Sequence, residues 1–73
     1  MAGEVWEVEP VDGHRWMVRR AGTLELESTH PSIEEAIEHA RKLAREQSGE
    51  ALVKDRAGRI TEQWMFRDFG RVT

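Results

Sequence analysis

The 73-residue chain has no cysteine, no tyrosine and only two prolines. Without cysteine there is neither a disulfide nor a thiolate metal site, a composition compatible with a reducing compartment. Without tyrosine one residue able to act as acid, base or nucleophile is missing. No apolar run approaches the length of a membrane span. The opening MAGEVWEVEP has no basic stretch ahead of an apolar core, so it does not read as a signal peptide. There are no internal repeats and no low-complexity runs. A basic excess is also missing: 11 Lys and Arg face 14 Asp and Glu, for a net charge of −3. That balance favours solubility and argues against a nucleic-acid binder. Together these features predict a cytoplasmic protein with no membrane segment.

A chain of this size is one domain, and its single core is marginal without help from disulfides, a metal or a partner. His14, His30 and His39 lie far apart with no ligand spacing, so no metal or cofactor is predicted. Self-association is the remaining source of stability, and a homodimer is expected.

The clearest signal runs from Ser32 to Gly49. Ser32 and Glu35 have capping-box spacing. Ile33, Ala36, Ile37, Ala40, Leu43 and Ala44 recur at three and four, the period of one helical face. Gly49 is expected to close the helix in a left-handed conformation. Acids come early (Glu34, Glu35, Glu38) and bases late (Arg41, Lys42, Arg45), which suits the helix dipole. Glu38 and Lys42 have the spacing of an i,i+4 pair. These charges read as a solvated face.

Before the helix, Val5 to Pro10 and Arg15 to Arg20 read as two strands. A loop at Val11-Asp12-Gly13, with Gly13 left-handed, sets Val8 opposite Trp16 and Trp6 opposite Val18. It also sets Glu9 opposite Arg15, Glu7 opposite Met17 and Val5 opposite Arg19. One face is then apolar and the other mostly charged. Thr23 to Ser28 alternates as a third strand. After the helix, Ala51 to Lys54 and Arg59 to Phe66 are two more, joined by a type I turn at Asp55-Arg56-Ala57-Gly58, with Val53 opposite Ile60. The predicted fold is α+β, with element order β-β-β-α-β-β: an antiparallel sheet and one amphipathic helix packed on one face. Residues 1–66 form the domain, and 67–73 a flexible or partner-bound tail.

Several stretches taken together resemble a family of small bacterial proteins known as domain of unknown function 2188. They are Val8-Glu9-Pro10, Trp16-Met17-Val18, the EEAIEHARKLAREQSGE helix running into Ala51-Leu52-Val53, and Asp55 to Ile60. The resemblance implies the fold and carries no activity or site residues. The ending QWMFRDFGRVT departs from the polar ends of that family. A looser likeness, in element order and in the E-E-A-I-E helix, is to HicB-type antitoxins, which neutralise a ribonuclease.

No converging set of acids, bases or nucleophiles is present, and no glycine pattern forms a phosphate loop, so the chain is not read as an enzyme. No small-molecule ligand is predicted. Trp6 and Trp16 could stack on bases but fall on the face the helix should cover, where core packing is the better reading. Lys54, Arg56 and Arg59 form the most basic local cluster. With Arg15 and Arg19 they are the candidate nucleic-acid contacts, although Glu7 and Glu9 sit among them. Trp64, Met65, Phe66 and Phe69 are the candidate self-association residues. They put large apolar groups on both faces of a terminal strand. The leading expectation is a non-catalytic interaction module that self-associates. The alternatives are a nucleic-acid binder using the 54–59 hairpin and an antitoxin-like ribonuclease inhibitor.

Overall fold

The computed structural model describes residues 4–23 and 26–66. The tail at 67–73, Phe69 included, lies outside them. The elements are β1 (Val5–Pro10), β2 (Trp16–Arg20), β3 (Leu26–His30), α1 (Ile33–Glu46), β4 (Glu50–Lys54) and β5 (Ile60–Met65). They form one five-stranded sheet in the order β3-β2-β1-β4-β5, with the helix on one face. This is the α+β fold the sequence predicts, in the predicted order of elements.

Three of the four strand pairs are antiparallel, as expected, and one parallel pair makes the sheet mixed. β4 lies beside β1 and runs parallel to it, because α1 crosses over the sheet before the chain returns. The composition of β4 gives the reason. Ala51, Leu52 and Val53 are all buried, and a continuous apolar run belongs at the centre of a sheet.

The first hairpin keeps the predicted faces but slips by two residues. Val8 pairs with Val18, Trp6 with Arg20 and Pro10 with Trp16. The Val11 N–H donates to the Arg15 carbonyl at 2.9 Å, so the loop is Asp12-Gly13-His14. Asp12 Oδ1 accepts from the His14 and Arg15 N–H groups at 2.8 and 3.0 Å. That side chain organises the loop, and Gly13 is not left-handed. β3 runs two residues past its predicted end at Ser28, to His30, while Leu24 and Glu25 of the predicted strand lie outside the described residues. In the second hairpin a bulge shifts the register between Val53 and Lys54, so Ile60 pairs with Lys54 and not with Val53. Paired residues share a face. Ile60 therefore leaves the face of Trp64 and is 54% exposed.

Ser32 caps the helix: its Oγ accepts from the Glu35 N–H at 3.2 Å. At the other end the Gly49 N–H donates to Ala44 and the Ser48 N–H to Arg45, a Schellman pattern. The left-handed residue is Ser48 (φ 54°), not Gly49. Gly49 is required for another reason. A Cβ there would lie 2.0 Å from the Glu4 carbonyl oxygen, at the point where the Glu50 N–H bonds that same oxygen.

The helix buries Ala36, Ala40 and Ala44 completely. Their small size lets α1 approach Trp6, Val8, Val18, Ala51 and Val53, with Trp16, Ile33, Ile37, Leu43, Trp64 and Phe66 around the rim. Trp6 and Trp16 thus belong to the core side of the sheet, and Trp6 is only 4% exposed. No described helix is long and apolar enough to cross a membrane.

Candidate interaction surfaces

The sheet face away from the helix carries a charge ladder across three strands. Arg19 on β2 contacts Glu9 at 3.0 Å and Glu7 at 3.5 Å on β1, and Lys54 on β4 contacts Glu7 at 3.1 Å. These side chains are mostly covered, and Glu7 is the joint between the two cations. Burial alone would raise the Glu7 pKa. The hydrogen bond from Lys54 and the charges of Lys54 and Arg19 outweigh it and hold the carboxyl below its ordinary value. Leu52 pairs with Glu7 in the parallel register and is buried on this face.

The candidate nucleic-acid cations are each engaged by other groups. Lys54 and Arg19 belong to the ladder. Arg15 lies 3.8 Å from Asp12, and Arg59 lies 3.9 Å from Asp55. Arg56 donates to the Asp12 carbonyl at 3.1 Å, tying the second hairpin tip to the first. Asp55 Oδ1 in turn accepts from the Ala57 and Arg59 N–H groups, and Gly58 is left-handed at φ 84°. Arg15 and Arg56 both engage Asp12, Arg19 and Lys54 both engage Glu7, and Arg59 is held by Asp55 of its own turn.

The candidate self-association residues divide. Trp64 and Phe66 are half-buried against the core rim. Met65 is 50% exposed. β5 forms one edge of the sheet. Two helix arginines lie over its aromatic rings. The Arg41 guanidinium is 5.1 Å from the Trp64 ring centroid and 5.9 Å from that of Phe66, and Arg45 is 5.4 Å from Phe66. Each such contact contributes about 0.5–1 kcal/mol at an exposed site. Sequence reasoning assigned these arginines to a solvated face. The spacing of Arg41 and Arg45 puts them on one side of the helix, but nothing local says that β5 lies beneath that side. Glu38 and Lys42 form no ion pair among the described residues.

His30 and His39, distant in sequence, come together with ring centroids 5.2 Å apart. Ser28 Oγ lies 2.8 Å from His30 Nε2. His14 stays exposed in its loop. Among the described residues no group of three or more His, Asp or Glu is arranged to hold a metal ion.

The geometry defines a class: a small two-layer α+β domain, with a neutralised charge ladder on its bare face and an aromatic edge strand flanked by arginines. The family follows from comparison. Residues 6–66 match the model of the family described as an uncharacterized protein conserved in bacteria, domain of unknown function 2188, and the chain belongs to that family. Neither the curated proteins nor the solved structures give a match.

Proposed function

We propose that this protein is a non-catalytic interaction module of the cytoplasm that self-associates through β5. The observation that carries this reading is the composition of an edge strand. Ile60 and Met65 are half-exposed or more, and Trp64 and Phe66 are only partly covered by their own helix. A strand edge with large apolar groups on both faces templates pairing with another chain unless something covers it. Aromatics, Met and Arg are also the residues enriched in interface cores. The test is absolute mass by light scattering behind a sizing column. The wild type should have twice the monomer mass of 8.4 kDa. Truncation after Gln63 should give a less stable monomer. A dimer that survives the truncation would overturn the reading.

Nucleic-acid binding through the 54–59 hairpin is the second reading. It is favoured by the exposure of Arg56 and Arg59 at the tip and weakened by the acids and carbonyl that engage each cation. It predicts a salt-sensitive shift of mixed DNA or RNA, lost when Arg56 and Arg59 are reversed. An antitoxin-like role rests on the order of elements, the acidic first strand and the E-E-A-I-E helix, and an adjacent small toxin gene would favour it.

A further inference from the structure

We infer that β5 pairs antiparallel with β5 of a second copy, centred on Trp64, so that Glu62 of each chain meets Arg41 and Arg45 of the other. The inference rests on the self-association proposed above and supplies its geometry.

The backbone decides which groups are available. The Phe66 N–H donates to the Gly49 carbonyl at 2.8 Å, and Trp64 and Glu62 pair with Ala51 and Val53 in the same register. Hydrogen-bonded pairs alternate along an antiparallel ladder. Glu62, Trp64 and Phe66 therefore turn their backbone groups toward β4, and Gln63 and Met65 turn theirs outward. A second strand can bond only to Gln63 and Met65, or to Thr61 at the bulge.

The side chains then choose the register. A two-fold antiparallel pair keeps each residue facing a residue of the same sheet face. The pairing can centre on Glu62, Gln63, Trp64 or Met65. Centring on Met65 leaves only Met65 hydrogen-bonded within the described residues. Centring on Glu62 sets two carboxylates directly opposite each other, which is destabilising. Centring on Gln63 requires the bulged Thr61 to pair with Met65. Centring on Trp64 uses the regular segment Glu62 to Phe66 and sets each Gln63 opposite the second copy's Met65. Both outward-facing residues are then hydrogen-bonded.

In that register the two Trp64 side chains form the close, non-hydrogen-bonded pair at the axis, with Cα atoms about 4.5 Å apart. Glu62 lies opposite the second copy's Phe66, the ring that Arg45 and Arg41 already cover at 5.4 and 5.9 Å. Both helices lie on the same side of the joined sheet, so carboxylate and guanidinium meet on one face. Glu62 is exposed and makes no ion pair among the described residues. Arg41 Nε is buried with no hydrogen-bond acceptor. The surface is therefore self-complementary in charge as well as in backbone hydrogen bonding, as an isologous interface requires.

The test is charge exchange, read as the dimer dissociation constant by analytical ultracentrifugation. Glu62→Arg and Arg45→Glu should each weaken the dimer by about tenfold or more, since like charges then face each other. The double variant Glu62→Arg/Arg45→Glu should return to within about threefold of wild type. Weakening without rescue, or no weakening, overturns this register and leaves self-association standing. A wild type that is monomeric throughout overturns both. Cross-linking gives an independent readout, because the chain has no cysteine of its own. A mixture of the Gln63→Cys and Met65→Cys variants should form the mixed disulfide, and neither variant alone should dimerise covalently. Gln63→Cys linking to itself would overturn the Trp64 centre.

Discussion

Replacing Gly49 by alanine should cost this domain a large share of its stability. The added Cβ would lie 2.0 Å from the Glu4 oxygen and 2.9 Å from the Glu4 nitrogen and carbonyl carbon. Backbone atoms cannot rotate away as a flexible side chain can. The start of β1 and the start of β4 must therefore separate by about 1 Å or more to reach a tolerable contact. That separation breaks the 2.8 Å bond from the Glu50 N–H to Glu4, which opens the parallel β1–β4 pair. Losing one hydrogen bond costs about 1 kcal/mol, and overpacking adds about 1–3 kcal/mol. The sum is about 2–4 kcal/mol, in a domain whose total is on the order of 4–11 kcal/mol. Thermal unfolding followed by circular dichroism should show the midpoint falling by about 10–25 °C. The partner experiment is Ser48→Gly. Ser48 holds the left-handed cap position at φ 54°, so glycine there should raise stability by up to about 1 kcal/mol. If Gly49→Ala is nearly neutral and Ser48→Gly destabilises, the cap belongs to Gly49 and the close approach to Glu4 is wrong.

Other consequences concern the charges and turns. Glu7→Gln should destabilise by about 1–2 kcal/mol, since Arg19 and Lys54 lose their shared carboxylate. The sign with pH follows from the lowered Glu7 pKa. Its contribution is complete at neutral pH, starts to fall below the ordinary value of 4.5, and is gone below the folded pKa. Chemical denaturation at a series of pH values should therefore show a shallower acid loss for Glu7→Gln than for wild type. Asp55→Ala removes the acceptor for two backbone N–H groups and should cost about 1–2 kcal/mol, read from urea midpoints. Asp12→Ala should loosen the first hairpin, where its Oδ1 also serves two N–H groups, and lower the urea midpoint.

The helix was legible in the sequence nearly residue by residue, because a cap and a 3.6-residue period are local properties. The two faces of the first hairpin were legible as well, since strand alternation survives a shift of two residues. The register itself was not. It depends on whether Val11 or His14 belongs to the loop, and Asp12 decides that by accepting from the His14 and Arg15 N–H groups. The parallel β1–β4 neighbours were hidden for a different reason. Their contact joins segments more than forty residues apart, and only the uninterrupted burial of Ala51, Leu52 and Val53 hinted at a central strand. Gly49 stood out as glycine, but its constraint is steric contact with Glu4, which no local pattern encodes. Of the candidate surfaces, the odd composition of Trp64 to Phe66 was visible. Arg41 and Arg45 were missed, because their position above β5 is set by where the helix crosses the sheet.

The most direct test of the β5 pairing is amide hydrogen exchange at Gln63 and Met65 as a function of protein concentration. Glu62 and Trp64 point their N–H groups at β4 and should be protected at every concentration. Gln63 and Met65 point outward and should exchange rapidly in dilute samples, then become protected as the mass rises to twice 8.4 kDa. Fast exchange at Gln63 and Met65 in a sample that is fully dimeric would contradict the account, because the second copy would then be seated elsewhere.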